Sequence, residues 1–162
     1  MTQSIKPRCI PLDLSSGDKT TELAHRIARI LNPGDVVLLE GPIGAGKTHF
    51  ARSLIQSLLI EPEDVPSPTF TLVQIYDLAQ CELWHADLYR LSHVDEVEEL
   101  GLIAAFDDAI CLVEWPEKLG ELRPETALTL RLSVDPCEEN CRHAELEWTC
   151  DTWDGRLKGL QE

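Results

Sequence analysis

With 162 residues and a formal net charge of −15, the chain has room for one domain with its own core and repels polyanions, which excludes extensive contact with nucleic acid. A hydrophobic fraction of 43% with interspersed charge excludes a disordered chain. No uncharged apolar run approaches the roughly 20 residues needed to span a bilayer, and Met1 to Pro7 lacks the apolar stretch of a signal peptide, so a cytoplasmic protein without a membrane partner is expected.

Ile5, Ile10, Leu12 and Leu14 predict a short first strand, and Ser15-Ser16-Gly17-Asp18 supplies turn and N-cap chemistry after it. Leu23, Ile27, Ile30 and Leu31 share one face of a helix that should end near Asn32-Pro33-Gly34. Val36-Val37-Leu38-Leu39-Glu40 is an apolar run of β-formers, and Gly41-Pro42-Ile43-Gly44-Ala45-Gly46-Lys47-Thr48 follows it. That octet fits G-x-x-x-x-G-K-T between a strand and a helix, the setting a phosphate-binding loop requires. Its glycines permit backbone angles that turn successive N–H groups inward, and the loop feeds a helix N-terminus that favours an anion. Lys47 is expected to reach the β- and γ-phosphates and the Thr48 hydroxyl to ligate Mg²⁺. Phe50, Leu54 and Leu58, with Ala51, Ile55 and Leu59, continue a buried helix to about Ile60.

Pro66 and Pro68 fix the backbone around Ser67 and Thr69, whose hydroxyls are candidates for facing the γ-phosphate. Phe70 to Tyr76 and Cys81 to Ala86 read as a hairpin that runs into His85-Ala86-Asp87-Leu88-Tyr89-Arg90. An aspartate at a strand end supplies the carboxylate that such a site needs for Mg²⁺; the plainer role for Asp87 is a cap on the next turn. Arg90 is expected to pair with an acidic neighbour, and His85 to be structural. Val94 to Leu100 and Leu102 to Phe106 form short helices separated by Gly101, and Asp95, Glu96, Glu98 and Glu99 give a solvated acidic face or a surface for a basic partner. Ile110-Cys111-Leu112-Val113 reads as a strand buried on both faces, ending in Glu114-Trp115-Pro116. From that position Glu114 would orient water for hydrolysis, unless it simply pairs with Lys118. Pro116 is expected to hold Trp115 extended beside it, as a shield, a nucleotide contact or a core anchor.

Leu128 to Val134 and Ala144 to Cys150 alternate apolar and polar residues, as in an antiparallel hairpin with one wet face. Cys137, Cys141, His143 and Cys150 lie close in sequence but lack a C-x-x-C pair, a weak pattern for zinc. Residues 1–162 therefore predict a single α/β domain: a P-loop NTPase-like three-layer fold with a mixed sheet, a C-terminal antiparallel hairpin, and a polar tail over about 151–162 that is partly mobile. N-K-x-D and D-x-x-G are absent, which disfavours a Ras-type GTPase. Between Ser53 and Glu117 the only Lys or Arg is Arg90, too few for a small-molecule kinase that clamps two sets of phosphates. ATP hydrolysis driving a partner fits better than a kinase, and a non-hydrolysing nucleotide sensor whose bound state gates assembly stands as the second reading.

Taken together, the octet at 41–48, Ser67-Pro68-Thr69-Phe70, His85 to Arg90, and Val113-Glu114-Trp115-Pro116 resemble the TsaE (YjeE) family in order and spacing over about residues 10 to 142. The resemblance implies an ATPase needed for the N6-threonylcarbamoyl group on adenosine 37 of tRNAs reading codons that start with A. It implies TsaD and TsaB as partners, with tRNA met only through their complex. By position it implies phosphate binding by Ile43, Gly44, Ala45, Gly46, Lys47 and Thr48, Mg²⁺ held by Thr48 and Asp87, and Glu114 serving hydrolysis near the metal. Lys47, Asp87 and Glu114 become the catalytic group, and Thr48, Asp87 and Glu114 the metal group. Trp115 would line the ATP pocket, Arg142 resembles a late arginine that reaches the nucleotide, and adenine contacts are implied near Gly17 to Thr21.

Overall fold

Alternate residues of the central strands pack into two separate apolar clusters, and that division builds the layers. The computed structural model describes residues 6–161, so the expectation for Ile5 lies outside the described residues. In chain order the elements are β1 (Arg8–Leu14), α1 (Gly17–Ala28), β2 (Val36–Glu40), α2 (Lys47–Leu58), β3 (Val73–Asp77), β4 (Glu82–Asp87), α3 (Asp95–Glu99), α4 (Leu102–Ala105) and β5 (Ile110–Glu114). A 3-10 segment (Pro116–Leu122) precedes β6 (Leu128–Val134), β7 (Arg142–Trp148) and α5 (Thr152–Leu157). The strands form one mixed sheet in the order β1-β7-β6-β2-β5-β4-β3. Parallel pairing joins β2 to β5 and β6, and β4 to β5; the pairs at both flanks are antiparallel.

Val37 and Leu39 of β2 and Leu112 of β5 join α1 and α2 in one cluster, while Val36, Leu38, Cys111 and Val113 join Val97, Leu102 and Leu119 on the opposite face. Both faces of β2 and β5 are thus covered, which is why these strands read as unbroken apolar runs. Burial in this second cluster pushes the Cys111 thiol up to about 12, far from any reactive thiolate. Beyond β6 only the α1 side is covered. There the hairpin alternates as its sequence indicates, and Arg131 bridges Glu40 (3.0 Å), Glu145 (2.9 Å) and Glu147 (3.3 Å) on the wet face. No helix among the described residues is long and apolar enough to cross a membrane.

Two segments depart from the sequence expectation. The strand expected from Phe70 begins only at Val73, because Pro68 to Thr71 form a turn closed by the Leu72 amide donating to the Pro68 carbonyl at 2.7 Å, with Leu72 left-handed at φ 68°. The tail is the other. Instead of a mobile stretch, α5 buries Trp153 and Leu157; the Trp153 indole donates to the Thr126 carbonyl at 2.8 Å, and Arg156 pairs with Asp35 at 2.6 Å. Trp153, Leu157 and Leu160 recur at helical spacing, a signal that the polar average of the segment conceals. Trp153→Ala is expected to cost about 3–5 kcal/mol in a urea unfolding titration; an unchanged midpoint would mean that the tail adds nothing to the core.

The four scattered zinc candidates do not converge. Cys141 faces Glu138 at 3.0 Å, Cys150 faces Thr152 at 3.3 Å, and His143 lies between Asp135 (2.8 Å) and Asp13 (3.1 Å). Hydrogen bonding to Asp135, then to Asp13, raises the His143 imidazole above its ordinary value. A raised folded value contributes stability below the unfolded pKa of about 6.5, and that contribution is lost as pH rises through the folded value. Asp135, held low chiefly by the Cys137 amide, changes only in acid and leaves this window clear. The stability advantage of wild type over His143→Gln should therefore shrink as pH rises above about 6.5, read from thermal midpoints at each pH.

Candidate functional site

The turn from β2 to α2 is held tight by close packing. Gly41 sits at φ 146°, and a Cβ added there would lie 2.5 Å from the Leu132 carbonyl oxygen, so this end of the loop is pressed against β6. Gly46, left-handed at φ 104°, opens α2 with no side-chain cap, which leaves the first amides of a 12-residue helix facing the loop. Ile43 projects at the loop tip, 73% exposed, while Ala45 is buried beneath it. A cleft of about 420 Å³ lies over the loop, bordered by Ile43, Gly44, Gly46, Lys47, Thr48, Thr69, Asp87, Tyr89, Glu114 and Trp115.

Sheet register decides which side chains meet there. Glu114 shares a face with Leu112, and His85 and Asp87 share one with Leu83; both faces turn toward α2. Asp87 is the register partner of Glu114, and Leu39 pairs with Glu114 from the other side, so three strand tips end together beside the loop. The Thr48 hydroxyl donates to Glu114 Oε1 at 2.8 Å, and Glu114 Oε2 lies 2.7 Å from His85 Nε2. Asp87 Oδ1 accepts the Tyr89 amide at 3.0 Å, and Oδ2 accepts the Thr69 hydroxyl at 3.4 Å, which is itself 2.7 Å from the Ser67 hydroxyl. The aspartate thus caps its turn and still presents an oxygen to the cleft.

Lys47 is only 6% exposed. Its ammonium donates to the Gly41 carbonyl and, at 3.2 Å, to that of Pro42, and it stands 3.7 Å above the centre of the Trp115 ring. Among the described residues it forms no ion pair. Burial lowers its pKa, opposed by the nearby charges of Glu114, Glu117 and Asp87. A desolvated cation that meets only carbonyl oxygens and a ring face is a receptor for an anion.

Trp115 requires a correction. It is not extended but left-handed, at φ 59° and ψ 53°. Pro116 bars the right-handed helical region for the preceding residue, and the immediate start of the 3-10 segment makes the chain reverse rather than continue outward. The reversal lays the indole against Lys47 and against Tyr89, with ring centres 4.9 Å apart. Arg90 also departs from expectation, lying 4.3 Å above the exposed Phe70 ring instead of pairing with an acid. Lys118 donates to the Leu91 carbonyl at 3.2 Å, away from Glu114.

Arg142 is not in this cleft. It borders a second one of about 450 Å³ on the other side of the loop, with Ser16, Gly17, Thr20, Ala45 and His49. There His49 Nε2 lies 3.1 Å from the Thr21 hydroxyl and 3.3 Å from the Gly17 carbonyl, which joins the start of α1 to α2. Sequence reasoning missed His49, Tyr89 and the contact of His85 with Glu114. Only the two-residue step from His85 to Asp87, which sets both on one strand face, signals the last of these.

Residues 14–143 match the family described as threonylcarbamoyl adenosine biosynthesis protein TsaE. The chain is 38% identical over 131 residues to the tRNA threonylcarbamoyladenosine biosynthesis protein TsaE of Rickettsia felis, covering 81% of this chain and 75% of that protein. It is 41% identical over 121 residues to the protein of the same name from Rickettsia conorii, covering 75% of this chain and 69% of that one. Among solved structures, the crystal structure of Bacillus subtilis YdiB shares the fold, with a TM-score of 0.77 at 24% identity over 98% of this chain and 97% of that one. A match that runs from the end of β1 into β7 takes in the loop, both strand-tip acids and the second cleft, and the chain belongs to the TsaE family.

Proposed function

We propose that the chain is a Mg²⁺-dependent ATPase that serves formation of tRNA threonylcarbamoyladenosine by acting on a complex of TsaB and TsaD. The observation that carries this reading is the buried Lys47 ammonium, without an ion pair among the described residues, beside a cluster of three oxygen-bearing side chains, Thr48, Asp87 and Glu114. Hydroxyl and carboxylate oxygens are the donors that a hard divalent ion takes, so the set fits Mg²⁺. Thr48, Asp87 and Glu114 would hold the ion, which when bound would supply positive charge against charge that develops on the phosphates.

The chain's own groups do the rest. Inward amides from Ile43 to Thr48 and the α2 N-terminus hold the phosphates, and Lys47 supplies positive charge at the γ-phosphate. Glu114, on the strand tip next to the loop, orients water near the metal position, with Asp87 on the adjacent tip. Trp115 walls the cleft against bulk solvent. The second cleft, with Arg142 and Gly17 to Thr20, receives the nucleoside end. The net charge of −15 supports a subunit that leaves tRNA to its partners.

One observation favours a non-hydrolysing nucleotide sensor: both Glu114 oxygens are already hydrogen-bonded, to Thr48 and to His85. Phosphate release from ATP, measured with and without TsaB and TsaD, separates the two. Magnesium-dependent turnover that rises with the partners is expected. Wild-type protein that binds ATP and releases no phosphate even with both partners would overturn the hydrolysis reading.

A further inference from the structure

We propose that His85 is a positioning residue for Glu114, a role that rests on the hydrolysis reading above. His85 is fully buried on β4, two residues before Asp87 and on the same strand face, turned toward α2. A carboxylate accepts hydrogen bonds and cannot donate them, so the proton in the 2.7 Å contact between His85 Nε2 and Glu114 Oε2 belongs to the imidazole. His85 Nδ1 has no hydrogen-bond partner among the described residues. A buried polar atom left without a partner destabilises the fold, and a leucine of similar volume would pack in its place without that cost. Packing therefore does not call for an imidazole here. The hydrogen bond to Glu114 does.

The consequence for the site follows from the two donors on one carboxylate. Thr48 donates to Oε1 and His85 to Oε2, from α2 and β4 respectively, and together they fix the plane of the Glu114 carboxylate. Thr48 is also the hydroxyl placed to meet Mg²⁺, which an oxygen lone pair can do while its O–H stays with Oε1. His85, on the other oxygen, holds Glu114 in its rotamer from the β4 side. A side chain that acts through another in this way changes the rate of the step that the other serves, with little effect on how tightly ATP is held.

The test compares His85→Leu, His85→Gln and His85→Asn in the full chain with TsaB and TsaD. It reads kcat, KM for ATP, thermal midpoint and, separately, the ¹⁵N signals of the His85 ring in the wild type and in Glu114→Gln. Gln reaches the position of Nε2 with an N–H and Asn falls short of it. His85→Leu and His85→Asn are expected to lower kcat by about 10- to 100-fold with KM held, and His85→Gln to restore most of the loss. If the leucine variant does not fold, the Gln and Asn pair carries the same comparison. Equal turnover in folded Gln and Asn variants, or KM rising together with the fall in kcat, would overturn the proposal. Wild type without turnover defeats the hydrolysis reading instead; the bond is then judged by the ring signals alone, where a protonated Nε2 whose shift moves in Glu114→Gln supports it and an unprotonated one rejects it.

Discussion

Glu114→Gln is expected to bind ATP close to the wild-type affinity and to lose turnover by about 100-fold or more, in line with removal of a group proposed to handle the attacking water. The substitution keeps the side-chain volume at a position that is only 2% exposed, and its amide oxygen can still accept the Thr48 hydroxyl. What it removes is the negative charge beside the loop and the acceptor that faces His85. Titration calorimetry with a non-hydrolysable ATP analogue checks the first half, and phosphate release in the presence of TsaB and TsaD checks the second. A variant that hydrolyses ATP at the wild-type rate would move the catalytic role away from this strand tip, with Asp87 the next carboxylate in register.

Lys47→Met is expected to separate binding from folding. A charged hydrogen bond contributes about 1.5–3 kcal/mol, so loss of the ammonium should weaken ATP binding by about 10- to 100-fold. The folded protein without nucleotide should not be destabilised, because burial already opposes the charge on this lysine and lowers its pKa. A base whose folded pKa lies below its unfolded value weakens the fold wherever it is protonated, and methionine removes that burden with an unbranched apolar chain. Thermal melts with and without ATP read both effects together. The expected pattern is a midpoint at or above wild type alone, with most of the ATP-induced rise gone. A midpoint well below wild type without nucleotide would show that Lys47 holds the loop by its carbonyl contacts and is not kept ready for an anion.

Much of this architecture is legible in the sequence because a few strong local signals coincide. The β2 run, the glycines at 41, 44 and 46 and the lysine after them define strand, loop and helix without help from the rest of the chain. Strand-end acids are readable for the same reason, since Ile110 to Val113 is too apolar to lie anywhere but inside a covered sheet. Long-range partnership is not readable. Nothing in the spacing of His85 and Glu114 announces a hydrogen bond across 29 positions, because that depends on β4 and β5 being parallel neighbours in one register. Trp115 misled for a different reason. A following proline forbids one backbone region and leaves two, and the choice between extended and left-handed was made by the turn that follows. The tail misled because three apolar residues at helical spacing are easily outweighed by seven polar residues and two glycines when a segment is judged by its average.

The half-covered sheet carries one more consequence. Amides of β2 and β5 are sealed under helices on both sides, whereas β6 and β7 shelter one face only and leave Arg131, Glu145 and Glu147 in water on the other. Deuterium should accordingly enter the molecule from that flank, where loosening requires the loss of a single covering layer, and reach the strands under the phosphate loop last. The turn from Gly41 to Thr48 would then remain rigid while the outer hairpin breathes.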